Sequence, residues 1–158
     1  MKKSGFSLVE VLIAIILVGL AIASLVAANS SFTKANGAGT NLSTAEFLIE
    51  QIRELTTLLA VVDPQTTTST FGPEEAALAA YDDLDDFDGA NFSPPINTGR
   101  ETLNHFAAFS QQITVENVNA ANFEQVDADH GSNFVRVTVK VSLNSREISS
   151  VSWIRASY

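Results

Sequence analysis

The segment Val11–Ala28 reads VLIAIILVGLAIASLVAA, 18 residues with no charge and almost no polar side chain. As a helix it spans roughly 27 Å at about 1.5 Å per residue. A bilayer core is about 30 Å thick, so the run reaches nearly across one, and Phe6, Leu8 and Val9 lengthen it. Lys2 and Lys3 precede it, and no basic residue follows until Lys34. The positive-inside rule then places the N-terminus in the cytoplasm and the remainder outside.

Three fates fit such a segment. A secretory signal is cut after the apolar run, and Val26-Ala27-Ala28 and Ala21-Ile22-Ala23 both offer small-residue sites. A plain anchor keeps the run and uses it passively. A third kind of signal is cut before the run, so that the apolar helix stays on the mature chain. Glu10 discriminates among them. A carboxylate in an apolar span costs about 2.5–3.5 kcal/mol on insertion scales, which neither a disposable signal nor a passive anchor requires. A cut between Gly5 and Phe6 would create its partner, a free α-amino group on Phe6. Glu10 would be the fifth residue after that cut. The ammonium of one subunit could then meet the carboxylate of its neighbour.

The run Ser4-Gly5-Phe6-Ser7-Leu8-Val9-Glu10, behind two lysines and ahead of the apolar stretch, resembles the type III signal of type IV pilins and type II secretion pseudopilins. That pattern is a short basic leader, Gly, Phe, Ser or Thr, Leu, any residue, Glu, and this chain matches it at each position. The resemblance implies that a prepilin peptidase cuts after Gly5 and methylates the Phe6 amine, and that Glu10 sets the register of assembly. It implies other pilin or pseudopilin subunits, an inner-membrane assembly platform and the lipid bilayer as partners. It implies a single-pass inner-membrane protein with an extracytoplasmic domain that passes into a filament. The absence of a C-terminal cysteine pair, the segment Leu48–Glu54 and the run Trp153-Ile154-Arg155 are similar to minor pilins or pseudopilins. The implied fold is α+β, a long N-terminal helix packed on a small antiparallel β-sheet.

With 158 residues the chain has room for one helical spine and one small domain. The layout read from the residues is a leader at 1–5, a transmembrane helix segment at 6–28 and an amphipathic continuation at 29–62. An acidic and polar loop region follows at 63–109, then a sheet at 110–158. Leu42, Ala45, Ile49, Ile52, Leu55 and Leu59 recur at three- and four-residue spacing and draw one apolar helical face. Gly37 and Gly39 mark a soft point, each costing about 1 kcal/mol inside a helix. Asp63-Pro64 should stop the helix, because the residue before proline is pushed from helical geometry. The polar run 65–70 reads as a surface loop, and Pro73 should open a short helix.

The C-terminal third alternates. Val135, Val137, Val139, Val141 and Leu143 fall on one face, with Phe134, Arg136, Thr138, Lys140 and Ser142 on the other. Asn144-Ser145 reads as a tight turn, and Glu147–Arg155 as the returning strand with Val151 and Trp153 on one face. An earlier strand covers Ser110–Val118, with Ile113 and Val115 inward. Residues 119–132 read as a connecting loop. Three strands cannot bury both faces, so one face needs the helix stripe.

From Glu74 to Asp88 there are seven acids and no base, within a chain of net charge −9. An acidic surface repels phosphate backbones, so no direct nucleic-acid partner is expected. Asp82, Asp83, Asp85, Asp86 and Asp88 invite a calcium reading, since carboxylates around a glycine turn are hard-cation ligands. The EF-hand pattern fails: counting back from Gly89 puts Leu84 at the first ligand position and Pro95 at the last. The reading preferred on spacing is a solvated acidic loop with Tyr81, Leu84 and Phe87 tucked inward, and calcium is the second. His105 and His130 lie in separate segments without metal-ligand spacing, cysteine is absent, and no catalytic motif is present. The chain reads as a non-enzymatic structural subunit without a cofactor. The rival reading is a tethered or secreted ligand-binding or adhesive module whose acidic loop is supported by calcium.

Overall fold

A computed structural model describes residues 5–62 and 71–157. The basic leader, the expected helix stop at Asp63-Pro64 and the polar run 65–70 lie outside the described residues. The chain divides into two compact units, residues 1–40 and 41–158.

Helix α1 runs Leu8–Thr56. Gly37 and Gly39, expected to mark a soft point, are both helical. Within the second unit α1 buries Ala45, Leu48, Ile49, Ile52 and Thr56. This is the expected stripe with two changes. Leu48, at the i+3 position from Ala45, is fully enclosed, whereas Leu42 at the margin is 43% exposed.

The helix ends at Thr56, six residues before the expected boundary at 62. The last turn of a helix leaves carbonyls without partners, and at the end of α1 side chains near and far in sequence donate to them. The Thr56 hydroxyl donates to the Ile52 carbonyl at 2.9 Å. Arg155 closes the end from a distant strand: its Nη1 donates to the Thr56 carbonyl at 2.6 Å and its Nη2 to the Leu59 carbonyl at 2.9 Å. The chain then leaves the helical path, and the Ala60 carbonyl accepts the Leu84 N–H at 2.9 Å.

The sheet contains β1 (Asn91–Phe92), β2 (Phe109–Asn119), β3 (Asn122–Val126), β4 (Phe134–Leu143) and β5 (Arg146–Ala156). Its order is β1-β2-β4-β5, with β3 also pairing with β2, and every pairing is antiparallel. Alternation in β4 works as read: Val135, Val137, Val139 and Val141 are buried. They stand in register with β2 and β5, as in the row Ile113–Val139–Val151 and the row Val115–Val137–Trp153. This face and the α1 stripe form one core, so the α+β architecture holds. Asn144 and Ser145 both have positive φ, 50° and 65°, the twist a two-residue hairpin between right-handed strands requires.

Two elements depart from expectation. The segment 119–132 is not wholly a connecting loop, since it contains β3, whose five residues are all exposed. A strand with no buried face has no alternation to announce it. Residues 72–78 form no helix opened by Pro73, and a single 3₁₀ turn at Leu78–Ala80 stands there instead.

One buried polar side chain ties the layers together. Gln111 on β2 donates from Nε2 to the carbonyls of Leu48, at 2.8 Å, and Ile96, at 3.2 Å. Its Oε1 accepts the Ile96 N–H at 2.8 Å. Helix, loop and sheet thus meet on one amide whose oxygen and nitrogen are both engaged.

Candidate functional site

The first candidate is the start of α1. Ser7 caps the helix, its Oγ accepting the Glu10 N–H at 3.3 Å. Glu10 answers, its Oε2 accepting the Ser7 N–H at 2.7 Å and the Ser7 hydroxyl at 2.9 Å. This reciprocal Ser-x-x-Glu arrangement is a capping box, which satisfies donors that the first helical turn otherwise leaves free. The sequence reading missed it by treating Glu10 only as a charge in search of a cation, although the Ser7–Glu10 spacing carries the signal. Gly5 and Phe6 lie immediately ahead, and Phe6 is 89% exposed.

Every residue from 5 to 40 is exposed. The bare side chains include Ile13, Leu17, Leu20 and Leu25. The segment is long and apolar enough to cross a membrane. Several of its hydroxyls bond back to the helix's own carbonyls. Ser24 donates to the Leu20 carbonyl at 2.8 Å, and Ser31 to that of Ala27 at 3.1 Å. Such back-bonding lets hydroxyls sit in hydrocarbon without unmet donors.

The second candidate is the acidic loop, and here the solvated reading is corrected. Leu84 and Phe87 are fully buried, and Tyr81 stands edge-on to Phe87 with ring centroids 5.2 Å apart. Those aromatics and Leu84 turn inward as expected, but the acids go with them. Asp83, Asp85 and Asp86 are each at most 1% exposed. The cause is the tight 3₁₀ turn Asp85–Phe87, which carries the residues between two anchors into the interior. Asp82 stays exposed and Asp88 is half-buried. Asp88 is committed elsewhere, its Oδ1 accepting the Val115 N–H of β2 at 2.7 Å. Gly89 follows with φ of 70°, a left-handed conformation that suits glycine and turns the chain toward β1.

Within the turn, Asp86 Oδ2 accepts the N–H groups of Asp82, at 2.9 Å, and Asp83, at 3.4 Å. Asp83 Oδ1 accepts the Asp86 N–H at 3.1 Å. The remaining oxygens, Asp83 Oδ2, Asp86 Oδ1 and both of Asp85, are buried without a backbone, amide or cationic donor, as is Glu75 Oε2, and these carboxyls meet one another instead, Asp85 with Asp83 and Glu75 with Asp86. Burial, followed by a hydrogen bond and charge from Asp83, pushes the Asp85 carboxyl up to about 9. A hydrogen bond to Asp86, followed by desolvation, pushes Glu75 up to about 7. Burial also raises Asp83.

These shifts fix the sign of a pH dependence. Carboxyls ordinarily titrate near about 4, so between that pH and about 9 the folded chain holds protons that the unfolded chain has released. Stability therefore falls as pH rises through that window, and is greatest at its acid end. In chelator, the melting temperature of the full chain in detergent is expected to drop from pH 5 to pH 9. Asp85→Asn should flatten most of the drop. An unchanged slope in that variant would place the titrating groups elsewhere.

The histidines join neither candidate. His105 is exposed in the 3₁₀ turn Asn104–Phe106, and His130 stands edge-on to Phe71, centroids 5.3 Å apart. Among the described residues, the clusters with metal-ligand spacing are Glu74–Glu75–Asp86 and Asp82–Asp83–Asp86.

Residues 1–26 match the family profile described as the prokaryotic N-terminal methylation motif. This is the prepilin-type signal of type IV pilins and pseudopilins, and the chain carries it on the residues that cap and open α1. No curated protein and no solved structure matches the chain.

Proposed function

We propose that this chain is a structural subunit of a type IV pilus-like or type II secretion pseudopilus filament, processed by prepilin peptidase and assembled through α1. The observation that carries the reading is the methylation motif at residues 1–26, which runs into an apolar helix with every described residue up to 40 exposed. Gly5–Phe6 is the bond cut, Phe6 the residue methylated and Glu10 the carboxylate that receives a neighbouring subunit's amine. The bare helix first dissolves in the inner membrane and then packs against the same segment of other subunits. The unit 41–158 is carried outside. Its role is architectural, not enzymatic, and its partners are the peptidase, the assembly platform and sister subunits.

Processing tests this directly. The mature chain is expected to begin at a methylated Phe6, read by mass spectrometry of its N-terminal peptide. Gly5→Val should accumulate as the uncut membrane precursor. A mature N-terminus at Ser24 or Asn29, or normal processing of Gly5→Val, would make the chain a secreted domain instead.

A further inference from the structure

We propose that the outward face of the sheet carries a binding groove for a short, uncharged oligosaccharide, floored by Thr114, Thr138 and Ser152 and bounded by Lys140, Glu124 and the Arg136–Glu116 pair. The inference is independent of the filament reading, because it concerns the folded unit 41–158 whatever that unit is attached to.

The groove begins with strand register. Side chains alternate across a strand, so the residues between the buried valines of β4 face away from the core. Thr114 of β2 stands opposite Thr138 of β4, and Thr138 opposite Ser152 of β5. The three hydroxyls form a row across three strands, and the oxygens of Thr138 and Ser152 are hydrogen-bonded at 2.8 Å. The next row on one side is Glu116, Arg136 and Ile154, and on the other Gln112, Lys140 and Ser150.

β3 turns this face into a groove. Its register against β2 jumps from Asn119↔Asn122 to Val118↔Val126, so residues 123–125 bulge from the ladder. Two contacts fold them onto the outward face. Arg136 Nη1 donates to the Phe123 carbonyl at 3.1 Å, and the Phe123 ring tilts against Phe134 with centroids 5.2 Å apart. Glu124 is thereby brought to the hydroxyl row, and a cavity of about 450 Å³ lies between them. Small-ligand sites run from about 300 to 1,000 Å³. Arg136 is held on its other side too, since Nε and Nη2 donate to Glu116 Oε1 at 2.9 and 2.6 Å. β3 has no buried residue, so these contacts, not a core, hold its bulge in place.

The lining selects the ligand. Two cations, Arg136 and Lys140, and two carboxylates, Glu116 and Glu124, make the groove neutral in a chain of net charge −9. A neutral groove offers an anion no attraction, and the acidic surface around it repels one. Among the described residues Lys140 and Glu124 make no ion pair, which leaves a strong donor and a strong acceptor for a ligand. The hydroxyls of the floor both donate and accept. Sugar hydroxyls do the same, so a saccharide matches a lining that mixes the two. Beside the floor, Phe123 is 42% exposed and Ile154 38% exposed, apolar surface for the C–H face of a sugar ring.

The test uses the full chain in a detergent without a sugar headgroup. Maltotetraose, cellotetraose and N-acetylchitotetraose are titrated by calorimetry, with tetragalacturonate as the charged comparison. At least one neutral probe is expected to bind with a dissociation constant of roughly 1 mM or tighter, and tetragalacturonate about tenfold more weakly. Thr138→Val keeps the branched shape that suits a strand and removes the central hydroxyl. It and Lys140→Met should each weaken binding by about three- to tenfold, the worth of one hydrogen bond. Their melting temperatures should stay within about 3 °C of the parent's, which separates a lost contact from a lost fold. Glu46→Gln, an exposed acid on α1, should bind as the parent does. Three results would overturn the proposal. No heat with any neutral probe would leave a solvated sheet face. Tighter binding of tetragalacturonate would make the ligand an anion. Neutral binding untouched by Thr138→Val and Lys140→Met together would place the site elsewhere.

Discussion

Phe87→Ala is expected to destabilise the folded unit by about 3–5 kcal/mol, the usual cost of emptying a buried phenylalanine site. Phe87 is fully enclosed and belongs to the same core as Ile49 and Ile52 of α1 and Ile113 of β2. Its ring also supports Tyr81 edge-on. The loss therefore combines transfer free energy, a cavity and a missing aromatic contact, and it falls where Asp85 and Asp86 are held inward. The melting temperature of the full chain in detergent should drop by roughly 10 °C or more. Leu58 provides the contrast. It is just as apolar in the sequence but 95% exposed, so Leu58→Ala should stay within about 0.5 kcal/mol of the parent. Equal effects from the two substitutions would contradict the burial of the acidic turn.

Glu10→Gln is expected to insert in the membrane normally yet enter filaments poorly, and the capping box makes this a sharper test than loss of the carboxylate altogether. Glu10 has two jobs to separate. It accepts from the Ser7 backbone and hydroxyl, and on the proposed reading it receives the Phe6 ammonium of a neighbour. Glutamine keeps an acceptor for the cap and discards the charge. Ser7→Ala does the reverse. If the charge drives assembly, Glu10→Gln should reduce filament incorporation by an order of magnitude or more, on the scale of about 2–4 kcal/mol for a paired charge out of water. Ser7→Ala should then cost far less, about 1 kcal/mol at most in helix stability. Sheared filaments probed for the subunit report both. Wild-type incorporation of Glu10→Gln alongside failure of Ser7→Ala would make Glu10 a helix cap and nothing more.

Periodicity was the part of this molecule that the sequence displayed openly. The α1 stripe and the valines of β4 are legible because one face of each is buried, and burial writes its period into the residues. Asn144-Ser145 is legible because few residue pairs tolerate positive φ in succession. β3 was hidden for the opposite reason, since Asn122–Val126 has no buried side. The early end of α1 was hidden because Arg155, which donates to the carbonyls of Thr56 and Leu59, is remote in sequence. Five aspartates within seven positions carry the signature of a solvated loop, and nothing local says that Leu84 and Phe87 sink far enough to take Asp83, Asp85 and Asp86 with them. The methylation motif is different in kind. It depends on spacing within a few residues, so it was readable before any fold was known.

The bond from Arg155 to the end of α1 also sets a clock. Thr56 precedes Arg155 by 99 positions. At about 5–20 residues per second, synthesis leaves that helix end without its guanidinium for roughly 5–20 seconds. Over most of that interval the stripe of Ala45, Leu48, Ile49 and Ile52 also lacks β2 and β4. The earliest element of the folded unit is thus among the last to be completed. Contacts this distant in sequence slow folding, because a long stretch of chain must be ordered before they form. A nascent chain tethered by its apolar segment would present this open face beside the membrane throughout the delay.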